Sequence, residues 1–97
     1  MLVISPDAAE MIKTLVASES VPDSAGLRIS ASPVSSNGHG PELVLELVTR
    51  PDEGDEVLEE GGAHVFLGPG AAPMLEDKLL DVRLAPQGDP SFALREQ

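Results

Sequence analysis

The chain has 97 residues, 41% of them hydrophobic and only 2% aromatic, with 17 acidic against 6 basic side chains and a net charge of −11. That length fits a single domain over residues 1–97 with a thin, aliphatic core. The charge excludes nucleic acid and anionic membranes as partners, since their phosphates are held by Lys and Arg, and two phenylalanines make no stacking platform for single strands.

There is no cysteine. Disulfides, zinc–thiolate sites, thiol catalysis and a cysteine-held iron–sulfur cluster are therefore unavailable to these residues. Pro6 and Asp7 interrupt the first apolar stretch, so no secretory leader is expected. Glu46 breaks the best apolar run well short of a bilayer span. The expected location is the cytoplasm.

In chain order, Met1 to Ile4 is apolar and extended. Ser5 has the chemistry of a helix N-cap, with Pro6 at the first helical position and Asp7 in the first turn. Ala8, Ala9, Ile12, Leu15 and Val16 recur at helical spacing, and the helix should end near Ser18 or Glu19. Pro22, Asp23 and Ser24 form a loop. From Gly26, Leu27, Ile29 and Ala31 alternate with Arg28 and Ser30, the pattern of a half-buried strand. Residues Ser32 to Pro41 hold two Pro, two Gly, three Ser and one Asn, a connection longer than ordinary hairpin loops.

Glu42 to Arg50 is the strongest strand, with Leu43, Leu45 and Leu47 on one face. An acidic turn over Pro51 to Asp55 follows, then a short strand at Val57 and Leu58. A Gly61-Gly62 turn leads into a strand from Ala63 to Leu67. Gly68-Pro69 ends it and starts a short helix through Met74 and Leu75. Leu80, Val82 and Leu84 alternate in a further strand. Pro86 to Pro90 turns the chain into a last strand, Ser91 to Leu94. This order implies an α+β domain: mostly antiparallel sheets forming a flattened barrel or sandwich, with one N-terminal helix and one short helix.

Several of these segments carry a resemblance. Ile4-Ser5-Pro6-Asp7-Ala8-Ala9 and the amphipathic helix after it, Gly26-Leu27-Arg28-Ile29, the acidic turn from Pro51 to Val57 with Asp55, Leu75-Glu76-Asp77-Lys78-Leu79-Leu80-Asp81, and Phe92 stand in the same order as in the HesB-like domain of A-type iron–sulfur carriers. The chain resembles that family over nearly its whole length. The resemblance implies the family's fold, its tendency to form dimers or larger oligomers, and partners in the iron–sulfur assembly machinery. Typical members place one Cys in a Gly-rich loop after the first long strand and two in a Cys-Gly-Cys tail beyond the last. Here the loop reads Ser35-Ser36-Asn37-Gly38-His39-Gly40, and the Cys position falls near Ser36 or Asn37. The chain stops at Gln97, so no tail is expected. Hard oxygen and amide groups do not replace thiolate on a cluster. No family ligand is carried over, and no cofactor is expected.

The remaining constellations are weak. His39 and His64 could join carboxylates on a divalent metal, but they lack ligand spacing. An exposed loop His and a half-buried strand His is the plainer reading, and His39 is the better metal candidate of the two. Asp52, Glu53, Asp55, Glu56, Glu59 and Glu60 fail the EF-hand pattern and read as a solvated acidic edge. Gly68-Pro69-Gly70 before a helix lacks the basic residues of a phosphate site. No nucleophile elbow or other enzyme signature is present. The expected function is that of a noncanonical assembly-family protein without cluster ligands, acting by protein binding, with the loop from Ser35 to Gly40 open between two readings: its partner-binding surface, or a remnant without a task. Two alternatives stay open: a small acidic interaction or regulatory module unrelated to iron–sulfur chemistry, and a carboxylate/His metal-binding protein. A homo-oligomer stays open as well.

Overall fold

A computed structural model describes residues 1–32, 42–84, 86, 88 and 90–97. Its elements are β1 (Val3–Ile4), α1 (Pro6–Ser18), β2 (Gly26–Ser32), β3 (Glu42–Val48), β4 (Glu56–Glu60), β5 (Ala63–Leu67), a 3₁₀ turn (Ala72–Leu75), β6 (Lys78–Leu84) and β7 (Pro90–Glu96).

The start of α1 follows from its cap. The Ser5 hydroxyl accepts from the amide of Ala8 at 3.0 Å, satisfying a donor that the first turn leaves unpaired. The same hydroxyl donates to Asp81 Oδ1 at 2.8 Å, tying the helix start to β6. Ala8, Ala9, Ile12 and Val16 form the buried stripe, and α1 packs on β2, β5 and β6. The helix therefore bridges strands that belong to two sheets.

Those sheets have the orders β1-β6-β7 and β3-β2-β5-β4. The antiparallel ladders are β2–β3, β4–β5 and β6–β7, while β2–β5 and β1–β6 run parallel. The sheets are thus mixed, and they do not close into a barrel. The β4–β5 hairpin turns through Gly61 and Gly62 at φ 58° and 89°, the pair of positive values that a tight two-residue hairpin of the right twist requires. Gly26 meets a different demand. A Cβ there would lie 2.3 Å from the carbonyl oxygen of His64, so the approach of β2 to β5 tolerates only hydrogen.

The core joins the α1 stripe to Leu27 and Ile29 of β2, Leu58 of β4, Val65 and Leu67 of β5, Leu75 and Leu80. Leu43, Leu45 and Leu47 pack against it half-buried, as their alternation requires. Element limits move slightly from the sequence expectation. β3 stops at Val48, β7 extends to Glu96, and Ser32 belongs to β2. The expected short helix is a single 3₁₀ turn. Gly68 to Ala71 forms a tight turn first, with the amides of Ala71 and Ala72 both bonded to the carbonyl of Gly68.

Candidate functional site

The candidate loop hangs from the long β2–β3 ladder. β2 and β3 pair from Gly26↔Val48 to Ser32↔Glu42, so the two ends of the loop leave from opposed residues. Ser35, Ser36, Asn37, Gly38, His39 and Gly40 themselves lie outside the described residues. The turn from Gly68 to Ala71 lies close beside the loop's base, since a Cβ on Gly70 would stand 3.6 Å from that of Ala31. That turn is not an anion cradle. The Gly68 amide is bonded to the carbonyl of Ile29, and those of Ala71 and Ala72 are bonded within the turn.

On the opposite face of β2, Arg28 makes a forked pair with Asp55. Nε donates to Oδ2 at 2.8 Å and the terminal nitrogen to Oδ1 at 3.0 Å. The Asp52 amide donates to Asp55 Oδ2 at 2.9 Å, and the Asp52 carboxylate lies 3.5 Å from the guanidinium. The Asp55 side chain has no exposed surface and that of Arg28 is 16% exposed. The Arg28 hydrogen bonds hold the Asp55 carboxyl below the ordinary carboxylate range against the opposing effect of burial, and the Asp52 amide adds to the shift. Reciprocally, the hydrogen bond to Asp55 raises Arg28 above its ordinary value. A pair this fully satisfied positions the acidic turn rather than offering a reactive group. Alternation alone marks Arg28 as facing away from the core; its partner, 27 residues on, has no local signal.

His64 is half-buried, as expected of a strand histidine. Its Nε2 lies 3.0 Å from Glu59 Oε2, and its Nδ1 is buried without a partner. No group of three or more His, Cys, Asp or Glu able to hold a metal occurs among the described residues. His64 thus has one carboxylate beside it, not a ligand set.

No family model matches the chain. A curated relative does: the iron-sulfur cluster assembly protein SufA of Escherichia coli (strain K12) is 32% identical over 80 residues, or 82% of this chain and 62% of that protein. The chain thus spans less than two thirds of that relative's length. The crystal structure of Escherichia coli SufA, described as involved in biosynthesis of iron–sulfur clusters, superposes with a TM-score of 0.77 at 27% identity. It covers 98% of this chain and 84% of that one. The chain is homologous to the HesB-like, A-type family of iron–sulfur carriers.

Two further structures share the fold of this A-type homologue. One is IscA with its [2Fe-2S] cluster, with TM-score 0.78, 22% identity and coverage of 99% and 85% of the two chains. The other is a protein from Aquifex aeolicus solved by NMR, with TM-score 0.68, 21% identity and coverage of 99% and 91%. At those identities they establish the fold alone.

Two clefts open on the surface of the A-type homologue. A cleft of about 280 Å³ lies beside the C-terminal half of α1, between Ile12, Lys13 and Val16 and the Gly62 turn. It holds one basic and one acidic side chain, Lys13 and Asp23, and no further polar group converges on it. The second lies between β1 and β4 and has a volume of about 450 Å³. No helix is long and apolar enough to cross a membrane among the described residues.

Proposed function

We propose that this A-type homologue takes part in iron–sulfur cluster assembly without ligating a cluster, and that it acts non-catalytically by binding a protein of the assembly machinery. One observation carries the reading: there is no cysteine in residues 1–97, and in the β2–β3 connection the position where the resemblance places a thiolate falls near Ser36 or Asn37. Clusters need soft, deprotonated sulfur, with His an occasional substitute on one iron. His39 is the one such group in the loop, and a lone imidazole does not make a ligand set. The charge of −11 favours a basic protein partner over any polyanion. A shared fold does not transmit a shared ligand, because the chemistry resides in the site and not in the sheets.

Anaerobic reconstitution with iron and sulfide tests this, read as visible absorbance after desalting. The expected result is no retained absorbance. A stable cluster would overturn the reading and require non-thiolate or subunit-shared ligands, with His39→Ala as the next variant.

A further inference from the structure

The fold leaves a seam where its two sheets meet. β1 pairs with β6 along one edge, and β4 pairs with β5 along one edge. Among the described residues no ladder joins β1 to β4. Their other edges instead wall the cleft of about 450 Å³, with residues 1–4 on one side and residues 57–60 on the other. Backbone amides and carbonyls on a free edge can still pair with an added strand.

The chemistry of the cleft is specific. Its lip is apolar, with Met1 71%, Val57 52% and Val3 46% exposed. Its floor includes the buried Leu2, Ile4 and Leu58. Its rim is acidic: Glu59 and Glu60 line it, and Glu56 is exposed beside Val57. The cation closest at hand, the Met1 ammonium, is already taken by Glu76 at 2.8 Å. Val57 and Glu60 fall on opposite faces of β4, so an occupant strand has to bring apolar side chains at one parity and positive charge at the other. A strand does both, because its side chains alternate between two faces.

We propose that the β1–β4 cleft binds an extended segment of a partner protein with alternating apolar and basic residues, added as a strand along the free edge of β4. The proposal rests on the reading of this chain as a partner-binding protein and names where and what it binds. Main-chain pairing to β4 gives affinity, contacts with Val3 and Val57 give register, and Lys or Arg opposite Glu60, on the other face from Val57, gives selectivity. A second copy of this chain is a poor occupant. Its own seam carries the same carboxylates, and juxtaposed like charges repel across an interface.

The test is an NMR titration of the ¹⁵N-labelled full chain with the peptide acetyl-Val-Lys-Val-Lys-Val-Lys-amide. The counterpart with Glu in place of Lys serves as control. The expected result is saturable shifts at the backbone amides of residues 1–4 and 56–60, weaker at high salt and absent with the Glu peptide. Val57→Lys and Glu60→Lys are each expected to weaken binding at least tenfold. Both positions are exposed, and the same spectra report whether the variants fold. Unsaturable shifts scattered over the acidic surface, or unchanged affinity in both variants, would overturn the proposal, as would no shift at all. A failure here beside a blank reconstitution removes the site and leaves the partner-binding reading standing. A retained cluster removes that reading whatever the peptide does.

Discussion

The start of β4 and its free edge are built in opposite ways. Just before the strand, the Asp55 side chain is fully covered, and its carboxylate is shared between a forked guanidinium and a backbone amide. Two residues later Val57 stands half in water at an edge that no ladder covers among the described residues, with Glu56, Glu59 and Glu60 exposed around it. The first arrangement spends charge on holding the acidic turn against β2. The second leaves apolar surface and the carboxylates of Glu56 and Glu60 facing water. Where a small acidic domain with a thin core tolerates an open seam between its sheets, the seam is where a partner has something to gain.

The largest effect should come from breaking the satisfied end. Asp55→Ala leaves the Arg28 guanidinium largely buried without its forked acceptor. Removing one member of a buried pair in this way costs about 3 kcal/mol. For a domain of this size that lowers the melting temperature by on the order of 15 °C, measurable by thermal or urea denaturation. The cleft's peptide affinity in the folded fraction should change little. If Asp55→Ala is as stable as the parent, the pair is an exposed contact in solution and the contrast disappears.

Acid titration sharpens the same point. The folded Asp55 carboxyl lies below its ordinary value, so the unfolded chain takes up the proton first as pH falls. Its stabilising contribution is complete above the ordinary carboxylate value and is lost as pH drops through the depressed folded one. Asp81 is lowered too, by the Val82 amide first and then the Ser5 hydroxyl, and adds to the loss in the same direction. Denaturation midpoints should fall as pH drops below about 4. The slope should be shallower in Asp55→Asn, and equal slopes would mean that Asp55 is not a source of the effect.

Ser5→Ala should act less strongly, and on the other wall of the seam. It removes the cap on Ala8 and the bond to Asp81 together, at about 1 to 2 kcal/mol. Because β1 precedes Ser5 directly and pairs only with β6, amide exchange should quicken at Val3, Ile4 and Leu80 and stay unchanged across β4. Uniform quickening would mean that the two walls are one cooperative unit.

Local chemistry made much of this fold legible. Ser5-Pro6-Asp7 marks the helix start, Gly61-Gly62 the hairpin, and the alternating leucines of β3 its inward face. Distant pairing was not legible. The parallel ladders β2–β5 and β1–β6 join strands separated by other elements, and no residue type in either strand announces its neighbour. Phe66 shows the limit well. Alternation sets it on the face of β5 opposite Val65 and Leu67, yet it is only 1% exposed, between Arg28 and Val57 in register. The partnership of Arg28 with Asp55 was missed for the same reason. The candidate loop from Ser35 to Gly40 rests on composition and the family resemblance, and it lies outside the described residues. The seam needed the topology, since its walls come from the two ends of different sheets.

The smallest stability effect is the one that decides what the seam is. Val57→Lys sits on an exposed edge, where substitutions usually stay within about 0.5 kcal/mol. The new cation also has Glu56 and Glu59 for neighbours, so the sign should be neutral to slightly stabilising. Its melting temperature should match the parent within a few degrees while binding of the Val-Lys peptide is lost. That split separates a docking surface from a structural joint. If Val57→Lys instead unfolds the domain, the apolar lip is holding β1 and β4 together, and the seam belongs with the satisfied end of β4 after all.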